Sequence, residues 1–339
     1  MVGQQLYSKE PRSENKNGFR RFSRSLSVPA KLFNASAIGL GFGILVWTGP
    51  LTAAEDQKEN PGITSEAPAE VKLAQRKPPT DFPAVDLSGL GEMERMAFAQ
   101  IVNEEICPCS CPKSFGACLQ KDTKCAPAVL MGNWIAKQLR EGVPGEVLAE
   151  QVTREVAAGF GAKPKKIFTS GYASKGAAKP KHTIVEFADF ECAHCRAAGA
   201  MVDRLVKDHK DVKVVFKHFP LSFHQMAMPA AIATEAAAEQ GRFWEMHNAV
   251  FATQNMLDEN LLMGHAKALG LDVRRFEKDI KSPSLAAKVQ ASRAEGEKLG
   301  IESTPTFFIN GRPFNLMRTI DAFELRFAME DARATSSCK

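Results

Sequence analysis

The chain has 339 residues, 44% of them hydrophobic and 24% charged, which is enough for two globular domains plus long tails. Its formal charge of +5 is local: seven of the 44 Lys and Arg and two of the 39 Asp and Glu lie in residues 1–31, leaving 37 of each sign. A balanced body lacks the clustered basic face that phosphate binding needs, and this excludes a nucleic-acid binder.

The basic opening runs into an apolar stretch from Leu32 to about Trp47 and ends at Thr52-Ala53-Ala54. This is the three-part pattern of a secretory signal. Residues 1–54 are expected to form a signal peptide or signal anchor, and the short core, diluted by Gly39, Gly41 and Gly43, favours removal over retention. The expected location is periplasmic or otherwise extracytoplasmic, with anchoring through residues 32–54 as the variant. Such a compartment is oxidising, and the chain carries eight cysteines.

Residues 55–88 are rich in Pro, Glu, Lys, Ala and Ser and read as a disordered linker. Residues 89–160 carry three helical patterns, Met93 to Ile106, Ala126 to Arg140 and Pro144 to Phe160, and are expected to form a small all-helical, cysteine-rich domain. Residues 161–180 return to Gly, Lys, Ser and Pro and read as a second linker.

From 181 to 333 the pattern is α/β. His182 to Ala188 reads as a buried strand and leads directly into Cys192-Ala-His-Cys195 and a helix reaching about His209. A second strand, Val212 to His218, precedes about 80 mainly helical residues. Thr306 to Asn310 is a strand whose Asn310-Gly311 marks a hairpin, and a helix from Thr319 to about Arg333 closes the domain.

A C-x-x-C at a helix start sets its first sulfur beside unpaired N–H groups and the positive end of the helix dipole, which favours a thiolate. Cys192 is thus the expected nucleophile and Cys195 the resolving thiol, with His194 stabilising the thiolate. A zinc reading needs a second pair of ligands, and nothing after Cys195 supplies one. No cofactor and no metal site is assigned.

Val185-Glu-Phe-Ala-Asp-Phe-Glu-Cys-Ala-His-Cys-Arg, Val214-Val-Phe-Lys-His-Phe-Pro-Leu, Phe243-Trp-Glu-Met-His and Ser303-Thr-Pro-Thr-Phe-Phe-Ile-Asn-Gly resemble the DsbA family of bacterial thioredoxin-like oxidoreductases over about residues 180–330. The resemblance implies a thioredoxin-like fold with a helical insertion and a cis peptide before Pro305, with Thr304-Pro305 guiding an extended peptide. It also implies a buried acid at Glu186, six residues before Cys192, able to shuttle the Cys195 proton. Thr304 is the residue type of the isomerase-like branch, whereas Ala193-His194 favours disulfide donation. Oxidase, isomerase and reductase therefore stay open, with oxidase preferred. The expected partners are unfolded or partly folded secreted proteins and a membrane or soluble redox partner.

Asp189 reads as a surface turn residue, His218 and His224 as structural histidines, and Met226 and Met228 as core fillers. Cys107, Cys109, Cys111, Cys118 and Cys125 fall within 19 residues, and with Cys338 allow 15 pairings. Two disulfides stapling the small domain are expected. The alternatives are a second redox pair or a copper-binding or delivery module built on the Cys107–Cys125 cluster. Cys338 is either a link between two chains or a free tail thiol.

Overall fold

The structure is a computed structural model and describes residues 80–120, 124–333 and 336. The signal and anchor expectation on residues 1–54, and Cys338, lie outside the described residues.

Order begins inside the segment expected to be disordered. Phe82 and Val85 are buried, and the Phe82 ring meets Phe98 edge-on at 5.3 Å. The apolar spacing of these residues is hidden among prolines and charges, which is why composition missed it. Three helices follow: α1 (Glu92–Glu104), α2 (Ala126–Arg140) and α3 (Gly145–Arg154). Pro127 stands in the first turn of α2, where its missing N–H costs nothing. The single helix expected from 144 to 160 instead ends in a π-helical turn, Glu155–Phe160, closed by the Gly161 N–H on the Val156 carbonyl at 3.1 Å.

Five strands form one sheet in the order β1-β3-β2-β4-β5: β1 (Ser174–Gly176), β2 (His182–Ala188), β3 (Val212–His218), β4 (Thr306–Ile309) and β5 (Arg312–Phe314). β2 and β3 are parallel, and every other pairing is antiparallel. β1 belongs to the segment read as a linker. The β2 to β3 crossover is α4 (Ala193–Asp208), and between β3 and β4 come α5 (Ala227–Ala238), α6 (Phe243–Ala252), α7 (Glu259–Ala268), α8 (Val273–Asp279) and α9 (Pro283–Leu299). Asn310 and Gly311 both take positive φ, 49° and 79°, making the two-residue turn that joins β4 to β5. α10 (Ile320–Ala332) ends the fold. The expected thioredoxin-like α/β fold with a helical insertion is what the residues form.

One sheet face, Ile184, Val214, Phe307 and Ile309, packs on Val202 and Leu205 of α4 and Phe323 of α10. That same core continues into Phe98, Trp134, Ile135 and Val152 of the N-terminal helices. Polar contacts reinforce the joint. Asp321 accepts from Trp134 Nε1 at 3.1 Å and from Gln138 Nε2 at 3.0 Å. Glu155 is wholly buried, accepts the Asn315 N–H at 2.8 Å and pairs with the buried Arg326 guanidinium. The other sheet face, Val185, Phe187, Val215 and Phe308, packs on Phe219 and Ile301. Among the described residues no helix is long and apolar enough to cross a membrane.

Candidate functional site

β2 and α4 bring the chemistry together. β2 ends at Ala188, the turn 189–191 reverses the chain, and Cys192 is the N-cap residue of α4, with extended φ/ψ of −79° and 115°. Its carbonyl already accepts the Cys195 and Arg196 N–H groups at 3.0 and 3.2 Å, so the sulfur stands at the open end of the helix. Cys192 is 7% exposed and Cys195 is fully buried, and both are free thiols. The attacking thiol is therefore the reachable one.

The two thiols are driven apart electrostatically. A hydrogen bond from the Cys195 thiol, with help from Thr304 and from the N–H groups of Cys195 and His194, outweighs burial and brings Cys192 down from 9.0 to about 5. Burial pushes the Cys195 thiol far up, and the Cys192 sulfur beside it adds to this. At neutral pH the pair holds one thiolate and one thiol. When protonated, Cys192 donates to the Thr304 carbonyl at 3.3 Å. That carbonyl belongs to the Thr304-Pro305 peptide, which is cis. The loop before β4 thus lies directly against the reactive sulfur.

His194 behaves differently from the sequence expectation. Its side chain is exposed, and what it gives Cys192 is its peptide N–H. Glu186 lies mid-strand between Phe216 of β3 and Phe307 of β4 and is 3% exposed. Burial raises its carboxyl from 4.5 to about 8, with Lys175 opposing and Asp203 reinforcing the rise. It is a carboxylic acid at neutral pH, able to take or give a proton near it.

Asp189, read from sequence as a surface turn residue, is 1% exposed. Its carboxylate accepts from Glu191 N and Leu221 N, both at 2.7 Å, and meets His224 Nδ1 at 2.9 Å. Its own N–H points to the Cys195 sulfur at 3.5 Å, and its carbonyl accepts from Cys192 N at 3.2 Å. The far side of the turn is held by Gln254, whose amide donates to the Phe190 carbonyl at 2.6 Å. His218 is buried against Glu235 at 2.9 Å, a structural role as expected. Met226 and Met228 pack against the core of the helical insertion.

The cysteine-rich segment holds the disulfides Cys107–Cys118 and Cys109–Cys125. The sulfurs of Cys107, Cys109 and Cys125 lie within 4.8 Å of one another, as do those of Cys107, Cys111 and Cys118. A soft metal needs thiolates, and four of these sulfurs are committed to disulfides. The staple reading fits this arrangement.

Residues 170–325 match the family model described as Thioredoxin. This region has the thioredoxin-like α/β fold. The likeness to DsbA proteins carried by the motifs agrees with that assignment. Among solved structures, the chain is similar to a thioredoxin-like oxidoreductase from Silicibacter pomeroyi DSS-3, at 28% identity and a TM-score of 0.43, covering 49% of this chain and 95% of that one. It is also similar to Pseudomonas aeruginosa DsbA2, at 29% identity and a TM-score of 0.38, covering 45% and 88%. Among curated proteins, it is 40% identical over 139 residues to the Na(+)/H(+) antiporter NhaA 3 of Salinispora tropica, which is 40% of this chain and 21% of that protein. The antiporter NhaA of Herminiimonas arsenicoxydans is 40% identical over 152 residues, 44% of this chain and 24% of that protein. The chain spans about a fifth to a quarter of these relatives, and the likeness covers only the thioredoxin part.

Proposed function

We propose that this protein is an extracytoplasmic thiol:disulfide oxidoreductase that passes disulfides to secreted polypeptides through Cys192 and Cys195. The observation that carries this reading is the pairing of a reachable Cys192 sulfur at the α4 N-terminus, 3.3 Å from the Thr304 carbonyl, with a fully buried Cys195. A substrate thiolate attacks Cys192 of the oxidised pair, a mixed disulfide forms, and the Cys195 thiolate leaves. A second substrate thiolate then displaces Cys192, so the substrate loses two electrons and the pair gains them. Glu186 returns the proton to Cys195, and the Thr304-Pro305 loop holds the substrate chain beside the sulfur.

The oxidising direction is favoured because a stable Cys192 thiolate stabilises the reduced protein, which makes its disulfide easier to give away. Isomerase action is the second reading, favoured by Thr304 on the loop facing Cys192. The two disulfides fit an exported protein. The partners are unfolded or partly folded secreted proteins and a redox partner that reoxidises the pair.

The test is transfer. Oxidised full-length protein is mixed with a reduced, unfolded two-cysteine peptide, and free thiols are counted by alkylation. The reading expects one disulfide gained by the peptide per pair lost, and none with Cys192→Ala. Unchanged peptide thiols with the wild-type protein would refute it.

A further inference from the structure

Asp189 has a place in the fold that peptide transfer alone does not require. Its carboxylate is wholly buried and fully used, accepting from Glu191 N, Leu221 N and His224. Two of these partners lie 32 and 35 residues further along the chain, on the loop between β3 and α5. Its main chain faces inward, with the N–H on the Cys195 sulfur and the carbonyl on Cys192 N. A side chain clamped at three points therefore fixes a peptide N–H aimed at the resolving sulfur. Burying a carboxylate is costly unless its acceptors are satisfied, and here they are satisfied by Glu191 N of the same turn and by Leu221 N and His224 of a second loop.

We infer that Asp189, held by His224 and Leu221 N, is a positioning residue for Cys195: it aims its own peptide N–H at that sulfur and so stabilises the Cys195 thiolate in thiol–disulfide exchange. The inference rests on the oxidoreductase reading above. In the forward direction this N–H assists the departing Cys195 thiolate. In the reverse direction it assists formation of the thiolate that attacks the mixed disulfide. The Cys192 sulfur receives no bond from this N–H; its own helps come from Cys195, Thr304 and the His194 N–H. Asp189 meets Cys192 only through the Cys192 peptide N–H, so loosening it acts on the second sulfur more than on the first.

The experiment uses the reduced full-length chain and oxidised glutathione. In the first step the Cys192 thiolate attacks glutathione disulfide, forming a Cys192–glutathione bond and releasing one glutathione thiolate. In the second step the Cys195 thiol loses its proton, its sulfur displaces the second glutathione thiolate, and the Cys192–Cys195 bond forms. Acid quenching and intact mass follow the adduct through both steps. Raising the Cys195 thiol by one unit cuts its thiolate about tenfold, and the more basic sulfur recovers part of this, leaving resolution about threefold slower.

Asp189→Asn is expected to slow the second step about threefold or more, with the first step within twofold of wild type and the Cys192 thiolate still titrating near its wild-type midpoint by absorbance. His224→Ala removes one of the three partners from a partly exposed position, so it keeps the test alive should Asp189→Asn fail to fold, and it is expected to slow the same step by a smaller factor. Resolution at the wild-type rate in both variants would overturn the inference. Equal slowing of both steps would also overturn it, by indicating general loosening of the turn. Failure of the wild-type protein to form or resolve the adduct would instead sink the oxidoreductase reading, and the inference with it.

Discussion

Cys192 and Thr304 are 112 residues apart in the chain and 3.3 Å apart in space, the Cys192 sulfur, when protonated, donating to the carbonyl that precedes the cis proline. One bond thus joins the helix that activates the sulfur to the loop before β4. Five expectations follow from this site and the fold around it.

The Cys192 thiolate links redox state to pH. Its thiol stands at 9.0 in an unfolded chain and about 5 in the fold, a depressed value, so the stabilisation is fully present above pH 9 and lost as pH falls through 5. Within that window it changes by up to about 1.4 kcal/mol per pH unit. Cys195, pushed upward, is protonated in both states below pH 9 and adds nothing. Thermal melts of reduced against oxidised protein should show the reduced form's advantage shrinking from pH 8 to pH 5. A difference independent of pH would contradict the low Cys192 value.

Glu186 works in the opposite sense. Its folded value of about 8 exceeds the ordinary 4.5, so the fold loses stability as pH rises through that interval, when the unfolded chain ionises and the buried acid does not. Glu186→Gln should stabilise the protein at pH 7 by roughly 1–3 kcal/mol and flatten this pH dependence. It should also slow the step in which Cys195 exchanges its proton. A destabilised Gln variant with unaltered exchange would remove Glu186 from the mechanism.

Much of this site is legible in the sequence, and the exceptions share a cause. β2, β3 and α2 lie where their apolar patterns place them, and the cysteine pair sits at the strand-to-helix junction. β1 was missed because Ser174-Lys175-Gly176 has no strand pattern of its own and exists by pairing with Val214 and its neighbours. Asp189 was misread because its burial comes from Leu221 and His224, more than 30 residues away. The break in the third helix at Glu155 is likewise nonlocal, since that carboxylate is drawn onto Arg326 and Asn315. Patterns with a period inside one element were readable, whereas contacts made between elements were not.

The Glu155–Arg326 pair should be the most sensitive point of the joint between the N-terminal helices and α10. Arg326 also binds Glu330 at 3.1 Å and is wholly buried. Burial pushes the Glu155 carboxyl up and the guanidinium holds it down, so removing the cation leaves an uncompensated acid. Arg326→Met should cost about 3–5 kcal/mol in urea unfolding, with Glu155→Gln restoring part of the loss. Additive losses in the double variant would contradict the coupling.

The two N-terminal disulfides should act as staples rather than as redox partners. They close separations of 11 and 16 residues, for which constraint of the unfolded chain is worth about 3 kcal/mol each. Replacing Cys109 and Cys125 together by serine should lower the unfolding free energy by about 2–4 kcal/mol and leave glutathione exchange at Cys192 unchanged. Loss of exchange in a folded variant would instead make the cluster part of the electron path.

The most direct test of the central claim is the reduction potential of Cys192/Cys195, measured on the full-length chain in glutathione buffers by mass spectrometry of alkylated peptides, with Cys192→Ala as control. A depressed Cys192 thiol stabilising the reduced pair predicts a potential toward the about −120 mV of strong disulfide donors. A value near about −270 mV would contradict the donor role and make the protein a reductant or an isomerase kept reduced by its partner.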